Sequence, residues 1–402
     1  MKPASTAPLA GIRVLDMTRV MSGPFSTALL ADLGAEVIKL EPMTGDDYRH
    51  IGPFKDGESA LFLLMNRGKK SIALDLKKSE GLELARAIAA TCDVAVENFR
   101  PGVAARLGLG YDDLAAANPA IVYASISGFG QSGPLSQRPA YDLVVQAMSG
   151  MMAATGEEGG EPLKVGESIG DLAAGLFASW AIMAALFQRE RTGRGSHIDV
   201  AMFDCLHALL PTSHAQYFFA GKIPARVGNR HPLSTPFGCF RTADGLAVIA
   251  VLNEGQFTRF AELIGQAGIE ADPCYCSDSA RTENEPEMRA MVEAWSSGLT
   301  TEAVVAALSE VGIASAPIMD IAQASEGGHA KARGLVRDLP HAALGDVRTV
   351  GQPVRFDGAK PGSAKAAPVL GADAREILGG LGVSADEIKR LAKAGVLGGE
   401  GA

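Results

Sequence analysis

The sequence lacks the short motifs that identify most nucleotide-dependent and metal-dependent enzymes. It has no G-x-x-x-x-G-K segment that would form a phosphate loop, and no H-E-x-x-H or equivalent metal-binding spacing. The turn after the first predicted strand reads MTRVMSGP, so the G-x-G-x-x-G fingerprint of dinucleotide-binding folds is absent where it would stand. We therefore expect neither a metal ion nor a tightly bound cofactor.

Cysteine and net positive charge are also scarce. Cys92, Cys205, Cys239, Cys274 and Cys276 are odd in number and scattered, which is typical of a reducing compartment rather than of a disulfide framework. Cys274 and Cys276 are too close together for the usual zinc pairing, and no second pair accompanies them. The formal net charge of −9 argues against nucleic acid or an anionic membrane as a partner, because both require a basic face.

Long apolar segments are missing as well. The first residues, MKPASTAPLAG, contain no apolar stretch of the kind that a signal peptide needs. The longest uncharged apolar run, Leu172 to Phe187, is shorter than the roughly 18 residues expected of a membrane span, so we interpret it as a buried helix. Together these features predict a cytoplasmic protein that does not associate with membranes.

The first 200 residues alternate between strand-like and helix-like segments. Most strand-like segments are near-continuous apolar runs, as expected of parallel strands buried on both faces. They are IRVLD (12–16), EVIKL (36–40), SIALD (71–75), DVAVE (93–97), IVYASI (121–126) and SHIDVAM (196–202). Helical patterns at 24–33, 79–91 and 171–189 lie between them, and this order predicts an α/β fold with βαβ units and a parallel sheet.

The pattern changes beyond residue 205, and a chain of 402 residues is long enough for two domains. FGCFRTADGLAVIAV (237–251) predicts a hairpin that turns at Asp244-Gly245, and helical patterns follow it, so we expect a smaller α+β domain. Two stretches without regular patterning predict connections. The predicted bounds are 1–210 and 330–402 for the large domain, 225–325 for the small domain, and 211–224 and 326–366 for the linkers.

A basic segment is conspicuous in this acidic chain. NRGKKSIALDLKK, residues 66–78, contains five basic residues and one acid, and Arg100 and Arg106 follow in VENFRPGVAARLG. The segment predicts either a solvated edge before a strand or a phosphate-binding site, because guanidinium and ammonium groups form charge-assisted hydrogen bonds with phosphate oxygens. Composition alone leaves both interpretations open.

Two candidate nucleophiles lie in LKVGESIGDLAAGLF, residues 163–177. GESIG matches the G-x-S-x-G pattern, so Ser168 is a candidate nucleophile for a serine thioesterase, although no HGGG-type oxyanion segment occurs. Asp171 is the second candidate, in the first turn of the predicted apolar helix. An aspartate at that position is also a common capping residue, so spacing alone does not establish a catalytic role.

The sequence resembles the class III CoA-transferases, the family of formyl-CoA transferase, carnitine CoA-transferase and succinyl-CoA-dependent dicarboxylate transferases. The resemblance extends from residue 8 to about residue 378. The segments that carry it are PLAGIRVLDMTRVMSGP, LGAEVIKLEP, NRGKKSIALDLK, VENFRPG, SGFGQSGP, RPAYDLVVQAMSG, GESIGDLAAG, TGRGSHIDVAMFD and PVLGADAREIL.

The resemblance implies a large Rossmann-like parallel-sheet domain built from both chain ends, a smaller domain between them, and two chains interlocked as a homodimer. It implies that acyl-CoA and a carboxylic acid are the substrates, and that CoA moves through an anhydride and a thioester of the catalytic Asp171. It also implies that the CoA site is lined by Arg19, Val20, Leu74, Lys77, Asn98, Phe99 and Arg106, with Tyr141 near the acyl group.

Departures from related enzymes narrow the expected activity. The formyl-CoA transferases have a glycine run in a mobile loop and an arginine after the second strand, where this chain has GNRHP (228–232) and Pro42, so an oxalate-specific enzyme is not expected. The related α-methylacyl-CoA racemases use a histidine where this chain has Tyr141, which argues against an isomerase. Racemase-like isomerase and serine thioesterase remain the alternatives. Arg138, Arg230 and His231 are candidates to hold a second carboxylate, which predicts a small dicarboxylic acid as acceptor.

Overall fold

The computed structural model describes residues 7–357 and 362–401. The chain divides into two compact units. The larger unit contains Met1–Met152, Lys164–Ala215 and Gly328–Ala402, and the smaller contains Ala153–Leu163 and Gln216–Gly327.

Strands and helices alternate through most of the larger unit. In chain order the strands are β1 (Arg13–Asp16), β2 (Glu36–Glu41), β3 (Phe54–Lys55), β4 (Glu58–Ser59), β5 (Lys70–Leu74), β6 (Val94–Glu97), β7 (Val122–Ser127), β8 (Ser196–Ala201), β9 (Phe237–Arg241), β10 (Leu246–Ala250), β11 (Ala314–Pro317), β12 (Val336–His341), β13 (Gly345–Val350) and β14 (Leu397–Gly398). The helices are α1 (Ser22–Asp32), α2 (Ala60–Met65), α3 (Ser79–Ala90), α4 (Val103–Arg106), α5 (Tyr111–Ala117), α6 (Asp142–Ser149), α7 (Met151–Ala154), α8 (Ile169–Thr192), α9 (Met202–Ala208), α10 (Pro211–Ala220), α11 (Glu254–Leu263), α12 (Asp278–Glu283), α13 (Glu285–Ser296), α14 (Thr301–Glu310), α15 (Ile321–Glu326), α16 (Gly328–Arg333), α17 (Ala374–Gly380) and α18 (Ala385–Lys393).

The large sheet has the strand order β14-β5-β2-β1-β6-β7-β8. All neighbouring pairs are parallel except β14 and β5, which are antiparallel. The chain builds outward from β1 in one direction through β2 and β5, and in the other through β6, β7 and β8. A parallel sheet that reverses its strand order in this way opens a crevice at the carboxyl ends of the strands, between β1 and β6. The α/β fold predicted from the sequence is confirmed.

Both faces of this sheet are buried, as the apolar runs predict. Leu15 and Ala95 point to one face, where they form a core with apolar residues of α3, α5, α17 and α18. Val14 and Val96 point to the other face and pack with α1, α8 and α9. This alternation along β1 and β6 follows from the two-residue period of a strand, so each strand supplies both cores.

The smaller unit is an α+β structure. The antiparallel strands β9, β10 and β11 form its sheet in the order β11-β10-β9, with the predicted turn at Asp244-Gly245 between β9 and β10. Thr242 N–H donates to the Gly245 carbonyl at 3.0 Å and closes that turn. Its core contains Phe240 and Phe257 together with apolar residues of α13 and α14.

The two segments predicted as linkers contain regular structure. Residues 211–224 include α10, which begins at Pro211, a residue that suits the first turn of a helix because it needs no N–H acceptor there. Residues 326–366 include α16 and the hairpin of β12 and β13. Residues 358–361 of this predicted linker lie outside the described residues.

The helix α8 is longer and less buried than the run Leu172–Phe187 predicts. It is apolar and long enough to cross a membrane by length and composition alone, and half of its most apolar window is buried inside the protein. Leu176, Trp180, Met183 and Phe187 are exposed at spacings of three and four residues. They therefore form one apolar stripe on the outer face of α8, while the opposite face packs against α1 and α9.

Candidate active site

The loops that follow β1 and β6 meet at the carboxyl edge of the large sheet. Arg19 N–H donates to Asn98 Oδ1 at 2.9 Å, and Asn98 Nδ2 donates to the Arg19 carbonyl at 2.7 Å. The Arg19 guanidinium lies over the Phe99 ring, 5.9 Å from its centroid. The structure thus brings together Arg19, Asn98 and Phe99, which the family resemblance assigns to one site.

Two cavities open beside this junction. The larger, of about 620 Å³, is lined by Arg19, Leu74, Lys77 and Phe99 among the predicted residues. The smaller, of about 230 Å³, is lined by Arg19, Val20, Asn98, Phe99, Tyr141 and Asp171 among them. Because Arg19 and Phe99 line both cavities, the two adjoin. Arg106, the last residue of α4, lines neither.

The turn after β1 is held in an unusual conformation by buried charged groups. Val20 has φ of 69°, a left-handed conformation that is costly for a β-branched residue. Its N–H donates to Asp46 Oδ1 at 3.0 Å, while Lys39 Nζ donates to the Thr18 carbonyl at 2.8 Å. The backbone of residues 18–20 is therefore fixed from both sides by ionisable groups.

These groups belong to a buried ion network under the turn. Lys39 pairs with Asp46, and Lys69 pairs with Asp16, each at 2.8 Å, and all four side chains are inaccessible to solvent. Burial alone would raise the pKa of Asp16, but Lys69 and Lys39 hold it well below its usual range. Burial lowers the pKa of Lys69 to about 8, against the attraction of Asp16. The network stabilises the ionised aspartate and thereby the acceptor for Thr18 N–H.

Asp171 lies in the first turn of α8, at the wall of the smaller cavity. Burial and, next to it, the nearby charge of Asp142 raise its pKa to about 6, while hydrogen bonding from the Ser22 hydroxyl and N–H acts in the opposite direction. Asp142 accepts from Gly170 N–H at 2.7 Å and so holds the first turn of α8. Asp171 is therefore a partly buried carboxylate with the hydrogen-bond donors of Ser22 on one side.

Close packing of two helices places Asp171 beside Ser22. Gly175 lies one turn after Asp171 on α8, where it faces the first residues of α1. A Cβ atom on Gly175 would lie 2.7 Å from the Ser22 carbonyl oxygen and 3.0 Å from the Phe25 ring. Only a residue without a side chain permits this approach, so Gly175 sets the spacing of α1 and α8.

Ser168 lacks the structural context of a hydrolase nucleophile. It occupies the N-cap position of α8 and makes no side-chain capping hydrogen bond. A nucleophile elbow requires a strand directly before the serine, whereas residues 161–168 form no strand. The G-x-S-x-G match is therefore a coincidence of sequence.

Most basic residues of the segment 66–78 form ion pairs or hydrogen bonds within the protein. Arg67 pairs with Asp32, and Lys69 belongs to the buried network. Lys70 pairs with Glu36 at the sheet surface, and Lys78 donates to backbone carbonyls near residue 395. Among the basic residues of this segment, Lys77 lines the larger cavity, so neither a solvated edge nor a phosphate site describes the whole segment.

The three candidates for a second carboxylate are not all at the same place. Arg138 lines the smaller cavity together with Asp171. Arg230 and His231 belong to the smaller unit, where Arg230 approaches Glu158 at 3.4 Å and His231 stacks on Phe237. Ser22 and Asp142 were not among the residues predicted from the sequence, although both lie in the family-like segments MTRVMSGP and RPAYDLV.

Tyr48 is a further residue near Asp171 that was not predicted from the sequence. Tyr48 is buried, and burial together with the negative charge of Asp171 raises its pKa to about 12. Its N–H donates to Asp46 Oδ1 at 2.9 Å, which links it to the ion network. No short motif marks this tyrosine in the sequence, because its neighbours come from distant segments.

Comparison with known proteins identifies relatives along almost the whole chain. The model for CoA-transferase family III matches residues 9–374. Succinyl-CoA:glutarate CoA-transferase from Mus musculus is 40% identical over 93% of this chain and 86% of its own length. Acetyl-CoA:oxalate CoA-transferase from Acetobacter aceti is 40% identical over 89% of this chain and 92% of its own length.

The fold agrees with a solved structure. A CAIB/BAIF family protein from Brucella suis is 36% identical and superposes with a TM-score of 0.82, covering 93% of this chain and 99% of that one. The resemblance found in the sequence segments is thereby confirmed, for the fold as well as for the sequence.

Proposed function

The chain belongs to CoA-transferase family III, and on that premise we propose that it moves CoA from an acyl-CoA to a small dicarboxylic acid by covalent catalysis on Asp171. The observation that carries this proposal is the position of Asp171. It is a partly buried carboxylate in a cavity of about 230 Å³ that adjoins a larger cavity of about 620 Å³. The larger cavity suits the nucleotide and the smaller one the reacting thioester.

The cations around the larger cavity support CoA as its ligand. Arg19 and Lys77 line that cavity and can pair with phosphate oxygens, while Leu74 and Phe99 supply apolar surface for the rest of the molecule. Arg106 lies outside the lining and we assign it a weaker, longer-range attraction for the phosphates. The thioester would then enter the smaller cavity past Asn98.

The burial of Asp171 favours nucleophilic attack. A carboxylate in water is a poor nucleophile because water solvates it well, and a drier pocket removes much of that solvation. One Asp171 oxygen attacks the thioester carbonyl, the C–S bond breaks, and CoA leaves as a thiolate, which gives a mixed anhydride. The thiolate attacks the aspartyl carbonyl, forming an aspartyl-CoA thioester and releasing the donor acid. The acceptor acid reverses these steps.

The acceptor we propose is a dicarboxylic acid longer than oxalate. Relatives named for glutarate and for oxalate are both 40% identical, so both chain lengths occur among similar proteins. Arg138 lines the cavity of Asp171 and supplies a cation for a second carboxylate. The segment GNRHP and Pro42, which depart from the formyl-CoA transferase pattern, favour the longer acid.

Replacement of the nucleophile is the direct test of this function. We expect Asp171→Ala to abolish transfer while the protein remains folded, and wild-type enzyme given acyl-CoA to yield a hydroxylamine adduct at Asp171. Substantial turnover by purified Asp171→Ala would contradict covalent catalysis on this residue. A screen of succinate, glutarate and oxalate as acceptors, with products followed by mass, identifies the acid. Consumption of acyl-CoA without any acceptor would instead indicate a thioesterase.

A further inference from the structure

The N-terminus of α1 and the first turn of α8 meet at the Asp171 carboxylate. Ser22 is the first residue of α1, and hydrogen bonding from its hydroxyl and its N–H acts to lower the pKa of that carboxyl. Ser22 is only 4% exposed, and it lines the same 230 Å³ cavity as Asp171. The nucleophile therefore has a polar neighbour whose hydroxyl is close to the reacting atoms and shielded from bulk water.

Two further contacts fix the Ser22 hydroxyl. Asn98 Nδ2 lies 3.4 Å from Ser22 Oγ and donates to it, so the serine proton is free to point toward Asp171. Gly175 keeps α8 against the first turn of α1, since a Cβ there would lie 2.7 Å from the Ser22 carbonyl oxygen. The hydroxyl thus accepts on one side and donates on the other, in a position set by helix packing.

We infer that the Ser22 hydroxyl is a catalytic group, which orients Asp171 for attack and then stabilises the oxyanion formed at the aspartyl carbonyl. This inference rests on the proposed function and assigns a role within the same site. It concerns a residue outside the set expected from the sequence. In the resting enzyme, the hydroxyl holds one carboxylate oxygen and leaves the other available to the thioester.

The role of Ser22 in the second step, attack by the CoA thiolate, follows from where the electron pair of the aspartyl carbonyl moves. After the first attack, the oxygen that Ser22 holds is the carbonyl oxygen of the aspartyl anhydride. The CoA thiolate adds to the aspartyl carbon, a C–S bond forms, and the carbonyl electron pair moves onto that oxygen. When the pair returns, the bond to the donor carboxylate breaks and the acid leaves. The N–H and O–H of Ser22 lie beside this carboxyl group in the same cavity, so they can donate to the oxygen that becomes negative, as the donors of an oxyanion site do.

The test uses Ser22→Ala in the full-length enzyme, with two readouts. Removing the hydroxyl takes away a donor to the ionised carboxylate, so the acidic limb of kcat/KM, expected at about pH 6 in the wild type, moves to higher pH. At about pH 8.5, where Asp171 is ionised in both proteins, the rate of aspartyl-CoA formation in a single turnover should fall about 100-fold. The affinity for free CoA should change less than about threefold, because the serine does not face the nucleotide cavity.

Ser26→Ala is the matched control. Ser26 lies one turn further along α1, is fully buried, and its hydroxyl has no hydrogen-bond partner among the described residues. The same atoms are removed from the same helix, so a general disturbance of α1 would affect both variants. We expect Ser26→Ala to keep the wild-type pH limb and rate.

The outcomes separate this inference from the proposed function. If the wild type forms no hydroxylamine-trappable adduct at Asp171, the proposed function fails and the role of Ser22 fails with it. If the wild type forms the adduct, only the role of Ser22 is refuted by a folded Ser22→Ala variant that forms it equally fast and has the wild-type acidic limb of kcat/KM. Should Ser22→Ala not fold, Ser22→Cys replaces the hydroxyl by a weaker donor of similar size, and unchanged kinetics in that variant would also refute it.

Discussion

Burial of the ionised Asp171 carboxylate lowers the free energy of unfolding. The pKa of its carboxyl is about 6 in the folded chain and 3.8 as the reference value, so the folded state binds the proton more tightly. Stability therefore falls as pH rises from about 4 to about 6, and the full cost is present above that range. The reactivity we assign to Asp171 and this loss of stability have the same physical cause.

Asp171→Asn should accordingly be more stable than the wild type at neutral pH. We expect the free energy of unfolding at about pH 8 to increase by on the order of 2 kcal/mol, because the variant buries no charge at this position. The gain should shrink as the pH falls through about 6 and be lost near about pH 3, where the wild-type carboxyl is protonated in both the folded and the unfolded state. Chemical denaturation at several pH values measures it, and a gain that is independent of pH would contradict the ionisation argument.

The buried ion network gives a contrasting prediction. Lys39→Met leaves Asp46 as a buried carboxylate without its cation, and we expect this to cost about 3–5 kcal/mol of the free energy of unfolding. Arg348→Met removes the same charge from a pair with Asp338 in which the side chains are 69% and 63% exposed. This substitution should lower the free energy of unfolding by less than about 1 kcal/mol. Equal losses in urea denaturation would show that the network contributes nothing beyond an ordinary surface pair.

At the scale of helices, the contact of α1 and α8 connects packing to chemistry. Gly175→Ala would gain about 1 kcal/mol of helix propensity, but the new Cβ would lie 2.7 Å from the Ser22 carbonyl oxygen, a backbone atom that cannot move alone. We expect net destabilisation and a fall in kcat, since α8 would carry Asp171 away from Ser22. Steady-state kinetics and thermal unfolding measure the two effects.

Gly379 offers the comparison for this variant. It lies in α17, and nothing stands within 4 Å of the Cβ position. Gly379→Ala should therefore show the propensity effect alone, with stability increased by up to about 1 kcal/mol and activity unchanged. A Gly175→Ala protein that behaves like Gly379→Ala would refute the close approach of the two helices.

Elements with a strong apolar pattern were predictable from the sequence, and weakly patterned ones were not. β1, β2, β5, β6 and β7 coincide with predicted strand segments, because burial on both faces demands continuous apolar runs. The edge strand β8 also coincides with its predicted segment, although its first four residues are only partly buried or exposed. The β12–β13 hairpin was missed because it buries little more than alternate residues such as Leu339 and Val347. The exposed stripe of α8 was missed because hydropathy reports that a residue is apolar and cannot report what covers it.

At the scale of the whole molecule, the site assembles residues that are far apart in the chain. Arg19, Asn98, Tyr141 and Asp171 meet because β1 and β6 are neighbours and α8 packs on α1. The spacing of these four residues in the sequence does not predict that they meet, so their assignment to one site depended on the family resemblance. Ser22 was missed for the same reason, as its contact with Asp171 is created by helix packing.

A homodimer remains our prediction for the assembly. The stripe of Leu176, Trp180, Met183 and Phe187 is an exposed apolar patch of the kind that marks protein interfaces, and the family resemblance implies interlocked chains. We expect light scattering at low concentration to give a mass of about twice 41.7 kDa, without dissociation on dilution. A mass near that of one chain would contradict the dimer. Trp180→Glu should weaken association if the stripe is part of the interface.

The antiparallel pairing of β14 with β5 has a consequence for how the protein is made. Leu397 pairs with Leu74, which lines the larger cavity, and Lys78 donates to the Gly395 carbonyl across 317 positions of sequence. During translation the ribosome delivers β5 early, but the strand that covers its edge emerges only after the whole smaller unit. A nascent chain therefore carries an unprotected edge of β5 beside the larger cavity until the strand that pairs with it has been made.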